Sequence, residues 1–183
     1  MLLMTGCGPT TTGTGAASPA STAEESVSNP ASALAPRVQH PRDARRISGC
    51  AALATSQLAE LSLDPSSAAD ISSASTSGCR WQAFDRSFIA AVVVAVDLPV
   101  GGLEGVYLGR ATFTVFEPDQ VDGFPVVRTD RNGGPDCTLH VGPADDQLVD
   151  VLVSEVLNRS IDTCDAASRV ASAVLSTLPP RSS

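Results

Sequence analysis

The stretch SFIAAVVVAVDL, Ser87 to Leu98, decides the fold. From Phe88 to Val96 it is unbroken apolar sequence, rich in β-branched valine. A transmembrane helix needs about 18 such residues or more, so this run is too short to span a bilayer. Its valines favour extended backbone instead. It reads as a central strand covered on both faces. Upstream, GCRWQAF (78–84) reads as a neighbouring strand, with Arg86 and Ser87 in the turn between the two.

Downstream, GLEGVYLGR predicts a short helix despite two internal glycines. TFTVFE and FPVVRTD read as strands separated by a PDQVDG loop, which places Glu117, Pro118 and Asp119 as loop residues. RNGGPD is a turn signal, and CTLHVG returns as the hairpin partner. Gly142-Pro143 has turn composition and leads into Asp145-Asp146. QLVDVLVSEVL reads as strand for its first part. The final element is a helix in which Ala167, Val170, Ala171, Val174, Leu175 and Leu178 form one apolar stripe. Asp162 caps it and Pro179-Pro180 ends it. Near the start of the domain, SGCAALATSQLAELSL places Ala54, Leu58 and Leu61 on one helical face, with Ser48 as cap and Asp64-Pro65 as stop. The sum is an α+β domain: an antiparallel sheet packed by an N-terminal and a C-terminal helix.

The 183-residue chain is long enough for one such domain with a tail. Its formal charge of −8 argues against a nucleic-acid partner, because phosphate neutralisation needs clustered basic side chains. The five cysteines make an odd count. Met4-Thr5-Gly6-Cys7 resembles a bacterial lipobox, in which small residues precede a Cys whose thiol accepts a diacylglycerol as a thioether. Met1 to Met4 would then be the tail of a signal peptide whose basic and apolar regions lie upstream, so residues 1–7 are expected to be a truncated signal and lipobox. Residues 8–44, rich in Ser, Thr, Pro, Gly and Ala, read as a disordered tether that ends in the basic patch Arg37, Arg42, Arg45 and Arg46. The domain is expected over residues 45–180, with 181–183 as a tail.

Lipidation of Cys7 leaves Cys50, Cys79, Cys137 and Cys164. The pairing Cys50–Cys79 with Cys137–Cys164 closes two loops of roughly 30 residues, each within its own half of the domain. A four-cysteine zinc site is the rival, but it usually needs close ligand pairs, and there is no Cys-x-x-Cys. No metal or cofactor is expected.

Among candidate site residues, His140 alternates with Leu139 and Val141 in a strand, which suits a solvent-facing or hydrogen-bonded side chain better than a base. No Gly-x-Ser-x-Gly elbow accompanies it. His40 lies in the tether. Trp81, two residues after Cys79, is expected to pack over a disulfide, with ligand stacking as the lesser role. Asp145-Asp146 is too little for a calcium loop. Asn158 matches a glycosylation sequon.

These features together resemble the exported actinobacterial lipoproteins that carry the domain of unknown function 3558. The resemblance rests on a tether after a lipobox, GCAALATSQLAEL opening the domain on a Cys, and CRW about 30 residues later. It continues through GLEGVYLGRATFTVFEP, VDGFPVVRTD and DCTLHVG to a final Cys that opens the last helix, and so covers about residues 45 to 180. It implies a cell-surface location, lipid-anchored on the outer face of the membrane, and no known catalytic activity. With no catalytic constellation in the sequence, the expected function is a monomeric binding or accessory module for an envelope ligand or protein. The alternative is an envelope hydrolase with an unrecognised site. A cavity of several hundred Å³ would support the first, and a buried cluster of His140, a carboxylate and a hydroxyl would revive the second.

Overall fold

A computed structural model describes residues 33–85, 89–97, 101–131, 134–155 and 161–181. Cys7 with its lipobox, the first part of the expected tether and Asn158 lie outside them. The sheet has seven antiparallel strands: β1 (Ala69–Asp70), β2 (Thr76–Trp81), β3 (Ile89–Asp97), β4 (Val115–Val121), β5 (Phe124–Asp130), β6 (Cys137–Ala144) and β7 (Gln147–Glu155). Three helices accompany it: α1 (Thr55–Glu60), α2 (Leu103–Leu108) and α3 (Thr163–Thr177). The spatial order is β1-β2-β3-β7-β6-β5-β4. Two meanders therefore meet at β3 and β7, and the connection that carries α2 takes the chain from β3 to the far edge.

α3 packs across β6 and β7. Its Ala167, Val170, Ala171, Val174 and Leu175 form the expected buried stripe. Asp162 caps it as expected, its carboxylate accepting from the backbone of Cys164 and Asp165. Under α3 lie Val92, Val94 and Val96 of β3, Leu139 and Val141 of β6, and Val149, Val151 and Val153 of β7. β3 is central, as expected, but covered unequally: Val93 and Ala95, on the opposite face, are only half-buried. That face is closed at one end by α2, whose Leu103 and Val106 pack on Val127 and Leu148.

Cys50 pairs with Cys79 and Cys137 with Cys164. All four thiols of the domain are thereby consumed, which removes the zinc alternative. The first disulfide reshapes the helix expected after Ser48. Gly49 lies so close to Gly78 that a Cβ on Gly49 would sit 2.3 Å from the Gly78 carbonyl carbon. With the backbone held there, Gly49–Ala51 forms a 3-10 turn, Ala52 and Leu53 turn into the core, and α1 has only six residues. Ser48 makes no side-chain cap. Gln57 Oε1 instead accepts from the Ala54 N–H that precedes α1, and Gln57 Nε2 donates to Ala173 O on α3. Trp81 is fully buried among the same core residues, which leaves its ring no surface for a ligand.

Two expected loops are strand. β4 runs through Glu117, Pro118 and Asp119 to Val121, and the turn is only Asp122-Gly123. Both turn residues have positive φ, 52° and 81°, as a two-residue hairpin turn requires. Pro118 is accommodated because β4 is an edge strand. Glu117 is the cross-strand partner of Arg128, at 3.1 Å. Likewise β6 continues through Gly142-Pro143 with a register shift, and the chain turns at Asp145-Asp146.

The start of the domain also moves. The compact unit spans Ser32–Ser183, and residues 34–46, mostly assigned to the tether, lie along it as a strap. The Glu104 carboxylate accepts from the backbone N–H groups of Leu34 and Ala35. Asp145 accepts from the Val38 N–H and from Arg37. Arg42 N donates to Pro143 O, Asp43 N to Pro179 O, and Arg181 N to Pro41 O. Ala44 is wholly buried, its N–H donating to Gln147 Oε1 at 2.7 Å. Of the basic patch, Arg45 and Arg37 are spent on Asp146 and Asp145. Arg181, expected in the tail, pairs with Asp146.

Candidate functional site

The half-covered face of the sheet holds a polar network. His140 on β6 stands directly across from Asp150 on β7. Its Nδ1 lies 2.6 Å from Asp150 Oδ1, and its Nε2 lies 2.8 Å from Thr129 Oγ1 on β5. A carboxylate only accepts, so Nδ1 carries a proton and donates to Asp150. The hydroxyl of Thr129 can accept from or donate to Nε2, so it suits either form of the ring. The His140 side chain is 13% exposed and Thr129 4%. Every polar atom of the imidazole is thus satisfied, as burial demands. His140 is the hydrogen-bonded strand residue that its alternation suggested.

Above the network is a cavity of about 360 Å³. Thr138, His140 and Leu152 form its floor, with Thr129 at the side. One wall is Phe113, from the segment between α2 and β4, its ring centroid 6.1 Å from that of His140. Phe113 is backed by Phe116, which in turn meets Tyr107 of α2 edge-to-face at 5.1 Å. The other wall is the β5–β6 loop, through Arg131 and Pro135. Two bonds pin that loop to the start of α3: the Cys137–Cys164 disulfide, and the Thr163 hydroxyl, which donates to Pro135 O at 2.8 Å. The site is therefore supported on both sides by elements that also build the fold.

Residues 2–177 match the family model described as Protein of unknown function (DUF3558). The chain belongs to this family. No curated protein and no solved structure matches the chain.

Of the described residues singled out in the sequence, only His140 lines the cavity. Trp81 is in the core, and the four domain cysteines are staples. Asp145 and Asp146 hold the strap, and the hydrogen bond from Arg181 keeps the Asp146 carboxyl below its ordinary range. The sequence did not single out Thr129, Asp150 or Phe113. A second groove of about 370 Å³ runs between α1 and α3, lined by Gln57, Leu61, Arg169 and Ser172. Its titratable lining is one carboxylate, Glu60, and one guanidinium, Arg169, with no histidine or cysteine beside them. Among the described residues no group of three or more His, Cys, Asp or Glu converges as a metal site, and no helix is long and apolar enough to cross a membrane.

Proposed function

We propose that this DUF3558 protein is an envelope lipoprotein, anchored through lipidated Cys7 on the outer face of the membrane, whose monomeric domain binds a small ligand. The observation that carries this reading is the cavity of about 360 Å³ over the His140 network. Its volume is at the small end of ligand sites, and it pairs the apolar surfaces of Phe113, Leu152 and Pro135 with a few fixed polar groups, the usual make-up of such sites. The anchor reading rests on the lipobox sequence at Met4–Cys7 and on the odd cysteine left once the two disulfides are formed.

Native mass spectrometry of the protein extracted from its own envelope tests the binding reading. A retained small-molecule mass is expected, and it should be absent from Leu152→Trp, which fills the cavity floor. A clean apoprotein mass, or a retained mass unaffected by Leu152→Trp, would count against this cavity. Cys7→Ser, in a chain restored to its upstream start, should leave the membrane fraction.

The second reading is a hydrolase, favoured by the order Asp150–His140–Thr129, in which carboxylate, imidazole and hydroxyl are linked as in a nucleophilic triad. Two features make it the weaker reading. The Thr129 hydroxyl is almost wholly buried. Thr129, next to last in β5, also pairs with both β4 and β6, where neighbouring backbone N–H groups serve the ladders and do not converge as an oxyanion hole. Turnover of short activated esters that Thr129→Val abolishes would establish it against the binding module.

A further inference from the structure

Two of the four large apolar side chains that stand exposed among the described residues belong to one place: Leu34, 56% exposed, and Leu108, 71% exposed. Single exposed leucines are ordinary on a protein surface. These two are held as a pair. The Glu104 carboxylate accepts from the backbone N–H of Leu34. Leu108 lies four residues on from Glu104 along α2, on the same side of the helix, at about 5–6 Å between Cβ atoms. Ala35, the next residue of the strap, packs instead with Leu103 and Val106 of α2. The strap is thus fastened so that Ala35 is covered and Leu34 is not.

The path of the chain favours a membrane as what covers the pair. Upstream of Leu34 it leads to Cys7, 27 residues earlier, a reach of at most about 97 Å even when fully extended. An anchor at Cys7 therefore takes hold of the domain at Leu34, beside α2. The chemistry agrees. Arg110, two residues after Leu108, is exposed, and its guanidinium carbon lies 5.1 Å from the Phe116 ring centroid. Leucines with an arginine beside them suit a headgroup boundary, where the aliphatic groups enter the acyl region and the guanidinium meets phosphate. A net charge of −8 gives no long-range attraction to an anionic surface, so the contact is apolar insertion. Two leucines insert weakly by themselves, but tethering supplies a high local concentration of membrane. A second copy fits less well, since a stable dimer buries about 1,000 Å² or more, far beyond what two leucines cover.

We propose that α2 rests on the lipid surface that carries the anchor, with Leu34 and Leu108 inserted at the headgroup boundary and Arg110 beside them. This rests on the reading of Cys7 as the anchored residue. The strap then has a second role, since its grip on Glu104 holds one of the two inserting leucines in place.

The four domain thiols are in disulfides, which leaves Cys7 for coupling. The whole chain is joined through Cys7 to a maleimide lipid in phosphatidylcholine nanodiscs that also hold a nitroxide lipid, and leucine methyl signals are followed by NMR. Leu34 and Leu108 should broaden several-fold more than Leu61, which lies in the groove between α1 and α3. Leu34 is near the tether in any case, so the deciding variant is Leu108→Gln, at an exposed position that leaves the core intact. It should reduce the broadening of Leu34 several-fold, and Leu34→Gln should do the same to Leu108. Added salt should change neither. Broadening of Leu34 that is indifferent to Leu108→Gln, or Leu61 broadened as much as Leu108, would overturn the docking. Broadening that salt abolishes would overturn apolar insertion in favour of a charge contact. Leu34 and Leu108 signals that shift with protein concentration in the absence of lipid would assign the pair to a second copy instead. Because the coupling is chemical, these outcomes leave the anchor reading untouched, and fractionation of Cys7→Ser decides that separately.

Discussion

Substituting Gln147 by Met should cost about 1.5–4 kcal/mol, and only when the strap is present. Gln147 is 1% exposed. Its Oε1 accepts from the Ala44 N–H at 2.7 Å, and its Nε2 donates to Asp43 Oδ1 at 3.2 Å. Met has nearly the same length and shape, so packing is kept while both polar contacts go. The Ala44 N–H, on a fully buried residue, is left with no acceptor, which costs about 1–3 kcal/mol. Asp43 Oδ1 keeps its bond from Arg45 N, so its loss is smaller, about 0.5–1 kcal/mol. For a domain of this size the sum lowers the thermal midpoint by roughly 3–16 °C. Urea denaturation followed by circular dichroism measures it, with an unchanged dependence on denaturant as the control. The decisive comparison is a chain shortened to begin at residue 47. There the substitution should be neutral or stabilising, since the amide it removes has lost its partners. A cost below about 0.5 kcal/mol in the longer chain, or an equal cost in both, would refute the account of the strap.

Three further outcomes follow from the same contacts. Gly49→Ala should cost about 2–3 kcal/mol or more in denaturant titration, because the new Cβ would lie 2.3–2.6 Å from Gly78 backbone atoms that the adjacent disulfide keeps from moving away. Replacing Cys137 and Cys164 together by Ser opens a loop of sequence separation 27 and should cost about 3–4 kcal/mol in the chain-entropy picture, measured by urea titration with the other disulfide intact. The Ala35 and then the Leu34 N–H hold the Glu104 carboxyl below its ordinary value of 4.5. A lowered folded value means that this grip is full above the unfolded value and lost as pH falls through the folded one. The Leu34 and Ala35 amide signals should therefore move together below about pH 4.5, and the movement should be absent in Glu104→Gln.

What was legible in the sequence was whatever a period or a turn residue encodes. β3 and α3 are dictated by an unbroken apolar run and by a stripe ended at Pro179, and the pairing of β5 with β6 by the turn signal Asn-Gly-Gly-Pro that lies between them in the sequence. The strap was not legible, because no apolar period holds it. Its fixings are carboxylates distant in the chain that accept from its backbone, Glu104 and Asp145 above all. α1 was overread because its periodicity continues through Cys50, where a disulfide and a glycine contact forbid helix. The site was half legible for a definite reason. A turn at Gly142-Pro143 would place His140 opposite Asp145. The turn at Asp145-Asp146, with its register shift, places it opposite Asp150. Only the latter register completes the network. Phe113 carries no such signal, since it enters from a segment outside the sheet.

Where the strap is fastened also sets how the domain bears load. A pull on the chain upstream of residue 33 arrives first at Leu34, where the Glu104 carboxylate takes it. If that grip yields, tension passes to Asp145 at Val38 and then to the backbone bond between Arg42 and Pro143. The fixings are met one after another, so they let go in sequence, as in a seam. Paying out residues 34–42 lengthens the lead by roughly 30 Å, at about 3.3–3.6 Å per extended residue. That slack is released before force reaches Ala44 and Gln147, the first fixing inside the core. The cavity wall at Pro135 hangs from the opposite end of the architecture, on the Cys137–Cys164 bond and Thr163, off this line of force.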